Sequence, residues 1–179
     1  MRRVRTLVSL LALVPLTGCL VTGALDPTGG GRFTARMRLV SVAHFDRMKA
    51  ALQSDDVTLR SASMSADKWA TFEFESADIQ KLSTAAALAH TTVAVTDGGD
   101  GTRTVTATFA NLAPDQVSDA FARYLGRDFV LSVELPGEVT HSTATSSAGR
   151  SVSWKWPIAE VSHRRQVVIS ASYRSAPAS

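Results

Sequence analysis

The sequence predicts an α+β fold: a mainly antiparallel sheet assembled from ββα units, with three helices on one face and a C-terminal segment of strands only. Three observations carry this. Apolar and polar residues alternate over several stretches of about eight residues, the period of a half-buried strand. Between them the apolar spacing lengthens to that of an amphipathic helix. The helical stretches begin near residues 41, 76 and 113, and each follows two strand-like stretches joined by a turn. The copies share no residue identity, so the repeat is one of topology.

The chain opens with Arg2, Arg3 and Arg5, then an apolar run from Leu7 to Leu16, then the small residues Thr17 and Gly18. That is the layout of an export signal. The run is about half the ~20 residues that a spanning helix needs, so residues 1–18 are expected to be removed as a signal peptide. Leu16-Thr17-Gly18-Cys19 resembles the lipobox of bacterial lipoproteins. The resemblance implies cleavage before Cys19, a diacylglyceryl group on its sulfur and further acylation of the new amino group. Two or three acyl chains hold a protein on a membrane where one does not. Cys19 is the only cysteine, which excludes an intramolecular disulfide, and no motif around His44 supplies a base for a catalytic thiol. Leu20 after the cysteine implies the outer membrane in an organism that has one, and otherwise the outer face of the cytoplasmic membrane.

One domain is expected from Cys19 to residue 174, with 175–179 as a disordered tail. Its first hairpin pairs Leu20–Leu25 with Phe33–Val40 across "DPTGGG". Phe33, Ala35, Met37 and Leu39 share the inward face, which sends Arg32, Arg36 and Arg38 outward. Ser41 caps a helix with Val42, Phe45, Met48 and Leu52 inward. The second hairpin pairs Val57–Ser63 with Trp69–Glu75, placing Ala70, Phe72 and Phe74 inward, and Ser76 caps a helix with Ile79, Leu82 and Ala86 inward. The third pairs Thr91–Thr96 with Thr102–Ala110, its Val105, Ala107 and Phe109 facing away from a threonine ladder. Pro114 opens a third helix carrying Val117, Phe121, Tyr124 and Leu125, which Gly126 stops. Strands Phe129–Leu135, Ser151–Trp156 and Gln166–Tyr173 complete the domain.

Charge excludes a class of partner. Of 19 Lys and Arg, three precede Cys19, while all 16 Asp and Glu follow it, so the mature domain is close to neutral. The electrostatic footprint of a nucleic-acid binder is missing. His44, His90, His141 and His163 are scattered without ligand spacing, so neither a metal nor a cofactor is expected. "DGGDG" at Asp97–Gly101 lacks the alternating acids of a calcium loop and reads as a hairpin turn. No nucleophile elbow, Ser-x-x-Lys pair, phosphate loop or dinucleotide fingerprint occurs, and Glu73 with Glu75 reads as a solvated strand face. An enzyme is not expected.

The C-terminal third, "VELPGEVTHSTATSSAGRSVSWKWPIAEV" followed by "VVISASY", resembles the bacterial lipoprotein family typified by LppM, a domain of unknown function (DUF3153). A strand ending in Leu135-Pro136-Gly137, a polar turn-rich stretch and a strand bearing Trp154 carry the likeness, and the leader and the early "LDPTGGGRFTARM" hairpin agree in order. Family members often have Asn-Gly where this chain reads Ala144-Thr145-Ser146-Ser147. The resemblance implies an exported envelope lipoprotein without catalytic activity, and for some members an interaction with lipids.

The expected function is therefore a membrane-anchored envelope lipoprotein with a non-catalytic binding or envelope-maintenance domain. The alternative is a tethered lipid or amphiphile carrier, which needs an apolar cavity between sheet and helices in place of a core filled by Phe72, Phe74, Phe121 and Trp154. Partners are the membrane through Cys19 and a lipid or envelope protein; the sequence fixes no oligomeric state. Arg32, Arg36 and Arg38 are candidates for lipid head-group contact, against the plainer role of pairing with Glu73 or Glu75. Trp154 and Trp156, on one strand face, are read as packing residues.

Overall fold

The computed structural model describes residues 18–98, 100–110 and 127–174. The expected signal peptide up to Thr17, the third expected helix and the expected tail lie outside them. The elements in order are β1 (Gly18–Leu25), β2 (Gly31–Arg38), α1 (Val42–Ala51), β3 (Val57–Met64), β4 (Trp69–Ser76), short 3-10 turns at Ile79–Thr84 and Ala86–Leu88, β5 (Thr91–Asp97), β6 (Thr102–Ala110), β7 (Asp128–Glu134), β8 (Val139–Ser142), β9 (Ser146–Ala148), β10 (Ser151–Pro157), α2 (Ile158–His163) and β11 (Gln166–Arg174).

Two sheets form, where the sequence reading expected one. The larger has seven strands in the order β3-β4-β2-β1-β7-β10-β9; the smaller has four, β5-β6-β11-β8. The first two hairpins join through β2 and β4, but the third leaves them and starts the second sheet. All pairs are antiparallel except β1 with β7, which run parallel with Cys19 opposite Phe129. Both sheets turn an apolar face inward, and this alternation is what lets them face each other.

Three helices on one face are not what the described residues form; the domain is richer in β structure than expected. Only α1 matches a helical expectation. Ser41 Oγ accepts from the His44 N–H at 3.2 Å, and Phe45, Met48 and Leu52 turn toward the core. Val42, expected inward, is 62% exposed. The second expected helix is a 3-10 run instead, capped by the Asp78 carboxylate accepting from the Gln80 N–H. Its buried residues are Ile79, Leu82 and Ala85, spaced by three, which suits three residues per turn. Ala86, expected inward, is exposed. Ser76, expected as the cap, closes the preceding turn by donating to the Asp78 carbonyl at 2.7 Å.

The strands define two ends. Cys19, Arg38, Trp69, Asp128 and Pro157 lie at one, the Cys19 end, by the register of neighbouring strands. The β1–β2 turn, Ser76 and Glu134 lie at the other, the hairpin end. The second sheet is fixed to this frame at several points. Arg103 at the start of β6 donates to the Pro27 carbonyl in the β1–β2 turn, 3.2 Å away. Gly137, two residues after Leu135, lies so close to the end of β11 that a Cβ there would sit 1.8 Å from the Arg174 carbonyl oxygen. That approach explains the glycine after Pro136 better than the turn alone. The β1–β2 turn itself is held by Asp26, whose carboxylate accepts from the Thr28 and Gly30 N–H groups at 2.8 and 3.0 Å.

Candidate functional site

The core divides into two clusters. One gathers Val57, Ala70, Phe72, Phe74, Ile79 and Leu82 beneath α1 and the 3-10 turns; the other gathers Leu131, Leu135, Val152, Trp154, Ile169 and Tyr173 between β7, β10 and β11. Phe72 and Phe74 thus belong to a different cluster from Trp154, and Phe121 lies outside the described residues. Between the clusters lies a partly open apolar cavity of about 290 Å³, lined by both sheets and by Met48, Leu52, Ile79 and Leu82 of α1 and the 3-10 turns, close to the lower bound of about 300 Å³ for small-molecule pockets.

The strand pleat builds its walls. Cys19, Val21 and Leu25 of β1, and Phe129, Leu131 and Val133 of β7, line it from the larger sheet; Val93, Val105, Ala107, Phe109, Ile169 and Ala171 line it from the smaller. The space exists because several inward positions carry little side chain. Ala35 lines it from the larger sheet, and Ala107 and Ala171 from the smaller, where bulkier residues would narrow the gap. Gly23 shares the inward parity of Val21 and Leu25, and the Phe33 ring lies 2.6 Å from where its Cβ would be. The lining runs the length of β1, about 20 Å at ~3.3 Å per residue, so the hollow is elongated along the strands.

Its chemistry is narrow. Among the described lining residues Thr91 is the one hydroxyl, Cys19 the one thiol, and none carries a charge. A ligand there gains from apolar burial and finds nothing to compensate a buried charge. Trp154, at the wall, is 3% exposed and donates its Nε1–H to Thr143 Oγ1 at 3.2 Å, while Trp156 stacks on Phe129 with ring centroids 5.9 Å apart. Both tryptophans therefore pack.

Cys19 sits in β1 with its thiol turned toward this apolar space, and burial pushes its pKa up to about 11. In the folded domain it is a protonated, weakly nucleophilic group. Its placement inside a strand leaves no free tether between it and the sandwich.

The arginines of β2 all leave the core but have separate surroundings. Arg32 lies at the hairpin end opposite Ala24, 3.7 Å from Glu75, whose carboxyl the Arg60 guanidinium also holds, keeping it below the usual carboxylate range. Arg36 lies opposite Leu20, its guanidinium carbon 5.1 Å from the centroid of the Trp69 ring. Arg38 lies beyond Cys19, near enough to Asp67 to help lower that carboxyl after the larger effect of the Ser65 hydroxyl. Glu73 accepts from Ser61 Oγ at 2.9 Å. An open depression of about 620 Å³ with mixed lining lies over Thr22, Arg32, Arg60, Glu73 and Glu75 and reaches Phe33 and Phe74.

Among the described residues no three His, Cys, Asp or Glu side chains come together as a metal site. The residues described on either side of Gly99 pair as the end of the β5–β6 hairpin: Asp100 accepts from the Thr102 N–H at 3.1 Å, Gly101 has φ 80°, and Asp97 pairs with Arg103 at 2.6 Å. No helix of the described residues is long and apolar enough to cross a membrane.

No family model matches the chain, and no curated protein sequence matches it. Among solved structures it is similar to the folded domain of LppM from Mycobacterium tuberculosis, determined by NMR, with a TM-score of 0.57 and 17% identity over 90% of this chain and 91% of that one. No enzyme family is indicated, and what the likeness establishes is that this chain has an LppM-like fold.

Proposed function

We propose that this chain is a non-catalytic envelope lipoprotein whose domain binds the apolar chain of an amphiphile between its two sheets. The cavity carries this reading: it is apolar, elongated and bounded by small inward residues, where a purely structural sandwich would be filled. It favours the carrier over the envelope-maintenance module, because the latter has no use for an empty core.

The lipobox resemblance supplies the tether. Lipid transfer to Cys19 forms a bond from Sγ to a glyceryl carbon of a phospholipid donor as that carbon's bond to the phosphate oxygen breaks, and the thiol proton leaves with the phosphate-bearing head group. A thiol held protonated inside the sandwich is a poor substrate, so transfer precedes the folding of β1. Changing Cys19→Ala is expected to move the protein from the membrane to the soluble fraction; unchanged fractionation overturns the anchor.

The occupant is an acyl chain, drawn from a separate amphiphile or from the lipid on Cys19, whose sulfur already faces the hollow. The chain from Gly18 onward with Cys19→Ser retains every described strand and carries no lipid of its own. Titrated with a fluorescent fatty acid, it is expected to bind one equivalent, displaceable by unlabelled oleate. Binding by this variant together with an occupied cavity in the lipidated protein assigns the native occupant to the anchor. No binding by the variant overturns the cavity reading.

A further inference from the structure

The mature domain is close to neutral, yet its charges are sorted along the strand axis. At the Cys19 end stand Arg36, Arg38, Lys68, Arg127, Arg164 and Arg165, placed there by the register of β2 and by the segments leading into β4, β7 and β11. Among the described residues of the strand ends and the segments next to them here, the acids are Asp67, Asp128 and Glu160. They are matched by Arg38, by Lys155 at 3.2 Å and by Arg164, respectively, which leaves a positive excess. The hairpin end has the opposite sign among the described residues: Asp26, Asp55, Asp56, Glu75, Asp78, Asp97, Asp100, Glu134 and Glu138 stand against Arg32, Arg60, Lys81, Arg103, Arg150 and Arg174.

The second observation is independent of charge. Three large hydrophobic side chains are exposed among the described residues: Val40 at 43%, Val42 at 62% and Val168 at 50%. Val40 and Val42 follow the end of β2, and Val168 is two residues into β11, so all three belong to the Cys19 end. Exposed valines at the end that carries the positive excess fit a surface that is apolar beneath and anionic at its face.

We propose that the Cys19 end of the sandwich is a docking face for an anionic lipid bilayer. The hairpin end then points away from the membrane, repelled by it, and the hollow stands upright with its Cys19 end toward the lipid. Arg32 is directed away from the bilayer in this arrangement, while Arg36 and Arg38 approach it. The proposal does not require the cavity to hold a ligand.

The test is co-sedimentation of the chain from Gly18 onward with Cys19→Ser on vesicles of phosphatidylcholine with or without phosphatidylglycerol, at low and physiological salt. Each basic residue near such a surface strengthens binding about fivefold. The triple change Lys68→Gln, Arg127→Gln and Arg165→Gln is therefore expected to weaken binding to phosphatidylglycerol vesicles about 100-fold. Arg32→Gln, Lys81→Gln and Arg174→Gln at the hairpin end serve as the matched control and are expected to leave it unchanged. Thermal midpoints establish that both triple variants are folded. Binding that needs phosphatidylglycerol, falls with salt and follows this asymmetry supports the docking face. Absence of binding at low salt, binding that ignores lipid charge, or equal losses from the two triple changes overturns it. Fatty-acid binding is measured separately, so either reading can fail alone.

Discussion

The flank beneath α1 and the centre between β1 and β6 are walled by the same inward alternation, but they pack differently. In the flank, Val57, Ala70, Phe72 and Ala85 are 0% exposed, and the Phe45 ring meets Phe72 with centroids 5.4 Å apart. In the centre, Val21, Leu25, Val93 and Val105 point inward yet are only half-buried, and they border both core clusters without joining either. The flank has a third layer, since α1 and the 3-10 run close over β3 and β4. The centre is a hollow that the two sheets share with the inner sides of α1 and the 3-10 turns, through Met48, Leu52, Ile79 and Leu82. The interior is thus tight in the flank and loose in the centre, and Leu52, Phe74, Ile79 and Leu82 belong to both the flank core and the wall of the hollow.

The largest effect is expected in the flank. Phe72→Ala removes a fully buried ring whose neighbours are fixed by a helix and two strands, and is expected to cost about 3–5 kcal/mol. Thermal unfolding should show a midpoint lower by about 10 °C for a domain of this size. A cost below ~1 kcal/mol would mean that the flank is as loosely packed as the centre.

The Cys19 end of the hollow can be probed by pH. The folded thiol has its pKa raised from 9.0 to about 11 by burial. It keeps its proton where the unfolded chain loses one, so its contribution is complete below pH ~9 and is lost as pH rises toward ~11, by about 3 kcal/mol at most. Urea unfolding of the unlipidated chain should lose stability over that window more steeply than Cys19→Ala. Equal slopes would place the thiol in water and open that end of the hollow.

Val21→Ala removes two methyl groups from a wall that already faces empty space. The loss is expected to be about 1 kcal/mol or less, since a methyl bordering a void has fewer partners to lose. A loss as large as that of Phe72→Ala would show the centre to be filled in solution.

The sequence made much of this interior legible and hid what joins it. Every expected hairpin formed, because alternation such as Ala70-Phe72-Phe74 and turn chemistry such as Asp26 with Gly30 are local properties. The Ser41 cap was readable for the same reason. The 3-10 run was misread because Ile79 and Leu82 satisfy both a 3.6-residue and a 3-residue period, and only the burial of Ala85 decides between them. α2 is too short to show a period. The parallel pairing of β1 with β7 brings together residues more than a hundred positions apart, and no local signal encodes it. The hollow was hidden by the same distance. Ala35, Ala107 and Ala171 look like ordinary small residues in separate strands until the two sheets bring them to the wall of one hollow. Charge sorting was invisible too, since a neutral total says nothing about which end each residue reaches.

Those alanines give the smallest effect on stability and the sharpest test of the comparison. Ala107 is 7% exposed at the centre of β6, between Val93 on one side and Ile169 on the other, and its methyl group points across the hollow. Ala107→Leu adds three carbons. In a filled core such an insertion displaces neighbours and costs about 1–3 kcal/mol. In a cavity of about 290 Å³ the added atoms enter space that is already there. They then gain apolar contact, and stability is expected to hold or rise by up to about 1 kcal/mol. The same atoms occupy the path of an acyl chain, so fluorescent fatty-acid affinity should fall at least tenfold while the protein stays folded. Leu131→Ala enlarges the hollow from the opposite sheet and should move the two readouts the other way, with lower stability and room for a bulkier chain. A destabilised Ala107→Leu protein that still binds the fatty acid would place the ligand elsewhere and leave the centre as ordinary core.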